Sequence, residues 1–252
     1  MKNLNKISKI PSTSTEKILS VNISTQTKCE ILKIIYQRIK QNKQTVVFTP
    51  NTQMLLGAEK SRHKSIILNS ADINIPDGIG VVIASKLLGG KIKKRISGID
   101  LACDILRIAQ NKGYKIFLLG AEKGVAKTAT KNLKSRYPSL NICGSHSGYF
   151  TENENFKIIK AINQSNADII FVCMGYPKQE EWINENAHLL KSVKLLIGLG
   201  GTLDVWAGKV KRAPSLLQLL SLEWLYRTIK EPKRARIFWD IPVFLFKVLQ
   251  QK

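Results

Sequence analysis

From residue 30 onward the apolar positions alternate between two periods. Ile31, Leu32, Ile34, Ile35 and Ile39 recur at helical spacing, and the β-branched run Thr45–Thr49 that follows stops at Pro50. The same reading predicts a helix from Met54 to His63 and a strand over Ala71–Ile75 closed by Pro76-Asp77-Gly78, then helical stretches around 81–88 and 100–110. Beyond Tyr114 the pattern sharpens. Strands at 115–119, 141–143, 168–173 and 194–197 alternate with helices at 125–136, 155–163 and 178–190. Apolar strands separated by amphipathic helices of about 10–15 residues are βαβ units, which build a mostly parallel sheet with helices on both faces. The expected fold is doubly wound α/β.

The two ends differ from this middle. Residues 1–20 read as a polar arm and a candidate for disorder, 21–208 as the α/β domain, and 209–252 as a helical C-terminal appendage. In the appendage, Leu216, Leu217, Leu219, Leu220, Leu222, Trp224, Leu225 and Ile229 make a strongly apolar helix, followed by Arg227, Lys230 and Arg234 at spacings of three and four. The aromatic stretch Ile237–Leu249 is interrupted by Asp240, Pro242 and Lys247, too short and too broken for the roughly 20 apolar residues of a membrane span. A helix at a membrane interface and a helix docked on the core fit it equally well.

Charge narrows the class of partner. The 252 residues carry 40 Lys+Arg against 18 Asp+Glu, a formal +22, an excess that attracts nucleic acid, anionic lipid or diphosphate-bearing substrates. Both ends share it: residues 1–45 hold nine Lys/Arg and two acids, residues 205–252 ten and three. The run Lys86, Lys91, Lys93, Lys94 and Arg95 contains no acid, and Lys91 to Lys94 read mainly as a solvated face. Four scattered cysteines form no metal-binding spacing and are expected to be buried, reduced thiols. The first residues lack the apolar stretch of a secretory signal, so a cytoplasmic protein free to touch a membrane but not to cross it is expected.

In an open α/β sheet, ligands bind beyond the carboxyl ends of the strands, so polar residues there are the candidates. Thr49 and Asn51 flank Pro50 at one end, although both residue types also serve as plain helix starts. Asp77 sits between Pro76 and Gly78, where a rigid turn could hold a general base, and where an ordinary turn would use the same residues. Gly120 begins a glycine turn ahead of a helix, as does Gly175, and free N–H groups there could receive phosphate. Gln179 could read a base or a sugar hydroxyl, whereas Glu180 and Glu181 fit complementing the helix dipole. P-loop, GxSxG, HExxH and Asp-x-Asp patterns are all absent, so no metal is expected and cations would have to neutralise a diphosphate.

Seven ordered motifs carry a resemblance. Thr49-Pro-Asn51, Ile75-Pro-Asp-Gly-Ile-Gly-Val-Val82, Arg95-Ile-Ser-Gly98, Gly175-Tyr-Pro-Lys-Gln-Glu180, Gly200-Gly-Thr-Leu-Asp204, Gly208-Lys-Val-Lys-Arg-Ala-Pro214 and Glu223-Trp-Leu-Tyr-Arg227 together resemble the WecG/TagA/CpsF family of bacterial glycosyltransferases, over about residues 21–240. The resemblance implies a Rossmann-like core and an inverting transfer of N-acetylmannosamine, or a related sugar, from a UDP-sugar to polyprenyl-diphosphate-linked N-acetylglucosamine. That reaction serves teichoic acid or other surface polysaccharide synthesis at the inner face of the cell membrane, with the appendage meeting an anionic membrane surface. Carried over by motif, Asp77 is the base and Arg95 a catalytic cation, while Thr49, Asn51 and Gln179 surround the substrates. Arg227 and Arg234 resemble residues that reach the donor diphosphate, and the UDP-sugar is a substrate, with no cofactor implied.

The alternative is a basic α/β protein that binds nucleic acid or modifies RNA. It predicts a continuous basic face, but the chain lacks an RNP1-type aromatic signature and any zinc finger, so nucleic acid is not the expected partner.

Overall fold

The structure is a computed structural model that describes residues 13–230 and 237–251. It opens with β1 (Thr15–Ile18) and β2 (Val21–Ser24), then α1 (Lys28–Lys40), β3 (Thr45–Phe48), α2 (Thr52–Lys60), α3 (Arg62–Asn69), β4 (Ile73–Asn74), α4 (Ile79–Leu87) and α5 (Gly98–Lys112). It continues with β5 (Lys115–Gly120), α6 (Val125–Arg136), β6 (Asn141–His146), α7 (Glu152–Ser165), β7 (Ile169–Cys173), α8 (Lys178–Asn186) and β8 (Leu195–Gly198). Last come α9 (Thr202–Trp206), α10 (Ser215–Leu219), α11 (Glu223–Lys230) and α12 (Ile237–Gln251).

Six strands form one sheet in the order β4-β3-β8-β7-β5-β6, and every pairing in it is parallel. Along β7, Ile169, Phe171 and Cys173 enter a core shared with α1, α5, α6 and α9, while Ile170 and Val172 enter a second core shared with α2, α3, α7 and α8. Side chains alternate across a strand, so covering both faces requires an unbroken apolar run. Such a run is what the sequence shows at 169–173. The expected doubly wound α/β architecture is therefore the one observed.

The topology also fixes where a site can open. The helices that follow β3 and β7, α2 and α8, lie on one face, and those that follow β8 and β5, α9 and α6, lie on the other. Since β3, β8, β7 and β5 are consecutive neighbours, the chain leaves alternately up and down across the middle of the sheet. Neighbouring strands that diverge in this way leave a crevice at their carboxyl ends.

Local departures from the sequence reading have identifiable causes. The end of the stretch read as a polar arm becomes β1, because Ile18, Val21 and Ile23 are fully buried and pair the hairpin onto the second core. The helix expected over 54–63 breaks into α2 and α3 at Ser61, whose hydroxyl caps α3 by accepting from the Lys64 N–H. The apolar helix expected after Leu216 breaks into α10 and α11 at Ser221, which adopts φ +60°. The thiols are unpaired as expected, yet only Cys173 is buried and Cys29 is exposed.

The appendage meets the core through α12. Phe244 and Val248 are fully buried among α2 and α4 residues, and Gln53 Nε2 donates to Asp240 Oδ2 at 3.0 Å. Gln251 closes the far end, accepting from Leu19 N–H at 2.6 Å and donating to Lys17 O at 3.1 Å. The other side of α12 leaves Trp239, Phe246 and Leu249 exposed, and α10 adds Leu216 and Leu219. Among the described residues no helix is long and apolar enough to cross a membrane.

Candidate active site

A cleft of about 200 Å³ opens at the carboxyl ends of β3, β4 and β8 and is roofed by α11 and the start of α12. Thr49, Asn51, Asp77 and Arg95, picked out from sequence, all line it. Local structure explains how each is held. Asn51 is the N-cap of α2, its Oδ1 accepting from Gln53 N–H at 3.0 Å and Met54 N–H at 3.1 Å. Thr49 Oγ1 donates to Gly198 O at 3.2 Å, clamping the end of β3 to that of β8. The Asp77 turn is strapped from both sides: its N–H donates to Pro50 O at 3.1 Å, and Ile96 N–H donates to Pro76 O at 2.8 Å. This bracing fixes the backbone from which the carboxylate projects.

Arg95 is committed to the roof. Its Nη2 donates to Gln218 O at 3.0 Å and lies 3.5 Å from Glu223 Oε2, at the start of α11. Glu223 is buried and also faces Arg212 Nε at 3.6 Å, while Arg212 forks onto both carboxylate oxygens of Asp100 at 2.7 and 2.9 Å. Burial acts to raise the Asp100 carboxyl, but the hydrogen bonds and charge of Arg212 outweigh it and hold the group below its ordinary value. Two core elements are thus tied through four charged side chains to the segment above the cleft.

The remaining sequence candidates fall elsewhere. Gln179 is buried beneath the cleft, with Oε1 accepting from Gly200 N–H at 2.9 Å and Nε2 donating to Glu180 Oε1 at 2.7 Å, so both ends of its amide are engaged internally. Gly120 and Gly175 lie at the ends of β5 and β7, one crevice further along the sheet. At Gly120 packing alone demands glycine, because φ is +143° and a Cβ would stand 2.2 Å from the Cys173 carbonyl oxygen. Beside these turns Lys178 Nζ donates to Gly148 O at 2.7 Å and sits over the rings of Tyr149 and Phe150 at 5.7 and 5.2 Å. Arg227 belongs to α11 but its side chain lies outside the described residues, and Arg234 lies outside them altogether.

Three features escaped the sequence reading. Glu223, Asp100 and Arg212 form the roof network, but the Arg212–Asp100 and Arg95–Glu223 pairings join residues more than a hundred positions apart, so nothing in the local sequence marks them. Trp224 lines the cleft with a buried Nε1–H that meets no acceptor among the described residues. Glu180, assigned to the helix dipole, is fully buried, and burial pushes its carboxyl up to about 7, against the opposing hydrogen bond from Gln179. Among the described residues no three His, Cys, Asp or Glu side chains are grouped to hold a metal ion.

The geometry can be set beside known proteins. The chain is 38% identical over 214 residues to N-acetylglucosaminyldiphosphoundecaprenol N-acetyl-beta-D-mannosaminyltransferase of Bacillus subtilis (strain 168), covering 85% of this chain and 82% of that one. The protein of the same name from Staphylococcus aureus (strain MRSA252) is 36% identical over 223 residues, 88% of this chain and 86% of the relative. Residues 16–252, which include the cleft, α12 and all but the first residue of the β1–β2 hairpin, match the model of the "Glycosyl transferase WecG/TagA/CpsF family". With the sheet, the strand-end cleft and the roof all inside that match, the chain belongs to the WecG/TagA/CpsF family of glycosyltransferases.

Proposed function

We propose that this enzyme transfers N-acetylmannosamine from UDP-N-acetylmannosamine, with inversion, to N-acetylglucosamine carried on a polyprenyl diphosphate, as a step in teichoic acid or related surface polysaccharide synthesis. The names of its relatives support the acceptor and the sugar. The observation that carries the chemistry is Asp77, a carboxylate on a doubly strapped turn that lines the cleft together with Thr49 and Asn51. As the acceptor hydroxyl oxygen bonds to the anomeric carbon, Asp77 takes its proton. The bond between that carbon and the diphosphate oxygen breaks, and UDP departs with the electron pair. Inversion needs one base on the acceptor side, and a single carboxylate meets that requirement.

In this reading the UDP moiety lies toward the β5–β7 rim, where the Gly120 and Gly175 turns and Lys178 stand, and Arg227 and Arg234 are assigned to its diphosphate. Charge-assisted hydrogen bonds from fixed cations can stabilise a departing diphosphate without a metal. The exposed apolar residues of α10 and α12, beside a basic appendage, favour a peripheral site on an anionic membrane surface, where a polyprenyl-linked acceptor is confined. Incubation with a panel of UDP-sugars and polyprenyl-diphosphate-GlcNAc, followed by mass spectrometry, tests the whole reading. A product heavier by one N-acetylhexosamine, formed from UDP-N-acetylmannosamine in the presence of EDTA, is expected. No product from any UDP-sugar would reject the reaction, and EDTA-sensitive turnover would reject its metal-free form.

A further inference from the structure

Beneath the cleft lies a carboxyl that neither the proposed chemistry nor the fold accounts for. Glu180 is fully buried in the first turn of α8, yet its Oε2 is sealed from solvent and meets no donor from another described residue. An ionised carboxylate with one amide partner in such a place is strongly disfavoured. The group is consequently neutral over much of the range below pH 7, in line with its raised pKa of about 7. The hydroxyl of Tyr176, buried nearby on the same strand-to-helix turn, likewise meets no partner among the described residues. Apolar residues would fill this space at less cost, so retaining the acid there calls for a use.

What the carboxyl touches suggests that use. Its Oε1 accepts from Gln179 Nε2 at 2.7 Å, and the other end of the same amide accepts from Gly200 N–H at 2.9 Å. Glu180 therefore fixes which way round the amide lies, and only in that orientation does an oxygen face Gly200. The end of β8 is moulded on the pair: a Cβ at Gly198 would stand 2.9 Å from Gln179 Nε2 and 3.4 Å from Glu180 Oε1. From Gly198 the chain runs straight into the cleft, since Leu199, Gly201 and Thr202 line it and Gly198 O receives the Thr49 hydroxyl at 3.2 Å.

We propose that Glu180 is a positioning residue for sugar transfer, acting through Gln179 to hold the Gly198–Thr202 turn that forms one wall of the cleft. The inference rests on the transfer reaction set out above. It assigns Gln179 to holding the wall and Glu180 to orienting Gln179. An amide that is reversed or released would leave Gly200 N–H without its acceptor, shift the turn, and misplace the Thr49 clamp between β3 and β8. Such displacements change the fit of the transition state more than the binding of the ground state.

Two substitutions in the full chain test this. Glu180→Gln mimics the neutral acid and still offers Gln179 an acceptor oxygen, whereas Glu180→Met keeps the length and removes it. For Glu180→Met, kcat is expected to fall at least tenfold with KM for the UDP-sugar within threefold, and Glu180→Gln is expected to recover kcat to within about threefold of the parent. Amide hydrogen exchange gives a readout independent of turnover: Gly200 should exchange at least tenfold faster in Glu180→Met, with the β7 and β8 core amides unchanged, and should be protected again in Glu180→Gln. A Glu180→Met protein with parental kcat and a protected Gly200 would overturn the proposal. So would a parallel loss of protection across the whole sheet, which would make the side chain merely structural. If the parent itself transfers no sugar, the reaction assigned above fails, and the Gly200 measurement still decides whether Glu180 holds the turn.

Discussion

Arg212 grips Asp100 with both terminal nitrogens, at 2.7 and 2.9 Å, and in doing so pins the strand of chain leading into α10 to the first turn of α5. Its Nε meanwhile stands 3.6 Å from Glu223, which is buried and shared with Arg95. Removing Arg212 takes a cation from beside the buried Glu223 and the forked partner from the partly exposed Asp100.

Arg212→Ala should therefore loosen the roof without unfolding the sheet. Limited proteolysis is expected to cut between α9 and α11 at least tenfold faster than in the parent, and transfer should fall about tenfold, while the thermal midpoint moves by only a few degrees. The pairing also has an acid limit. Asp100 is held below its ordinary value of 3.8, so its contribution is complete above about pH 4 and is lost as pH falls further. Proteolytic sensitivity that rises as pH falls below about 4 in the parent but is flat in Asp100→Asn would match this; identical profiles would exclude the pair as the latch.

Asp77→Asn keeps the side chain's size and removes its capacity to take a proton. Because a general base contributes about 10²–10⁴-fold, turnover should drop by that factor. UDP affinity measured by calorimetry should stay within threefold, since the carboxylate serves the acceptor side. Turnover close to the parent's in this variant would transfer the base to another group.

The middle of the fold was legible because its strands are buried on both faces. The runs at 115–119, 168–173 and 194–197 could be read directly, and all three correspond to observed strands. Asp77, Thr49 and Asn51 were equally readable, since a parallel sheet exposes its carboxyl ends to ligand and these residues sit just beyond them, whereas Arg95, in the segment leading into α5, was marked only by its motif. Gln179 and Glu180 mark where that reasoning stops. A polar residue at a helix start looks the same in sequence whether it faces a ligand, solvent or the underside of another loop, and only the packing of β8 against α8 decides it. The β1–β2 hairpin was missed for the same reason: four-residue strands beside a polar arm gain their burial from α3, β4 and α4, tens of positions further along the chain.

Membrane affinity can be separated from folding by choosing the side of the appendage that is changed. Leu219 and Trp239 are 80% and 78% exposed, so Leu219→Lys and Trp239→Lys together should alter stability by about 0.5 kcal/mol or less each. Partition onto vesicles containing phosphatidylglycerol is expected to fall at least tenfold. Phe244→Ala, on the buried side of the same helix, should instead cost about 3–5 kcal/mol of stability. Truncating the appendage would confuse the two effects, because it strips Phe244 and Val248 from the core. Unchanged vesicle binding in the double lysine variant would remove α10 and α12 from the membrane contact.

The buried carboxyl also predicts how stability depends on pH. Burial raises Glu180 from 4.5 in the unfolded chain to about 7 in the folded one, so between those values the folded state binds a proton that the unfolded state does not. Where the folded state holds the extra proton, stability declines as pH rises. The group thus costs nothing below about pH 4.5, opposes folding increasingly from there to pH 7, and exerts its full penalty above. A displacement of that size corresponds to about 3 kcal/mol. Glu180→Gln cannot ionise, so its denaturation midpoint should lose this slope between pH 5 and 7 and lie above the parent's at pH 8. A parent whose stability is level across that interval would mean that the carboxyl finds a compensating partner on ionisation, and the gain at pH 8 would then be absent from the glutamine variant.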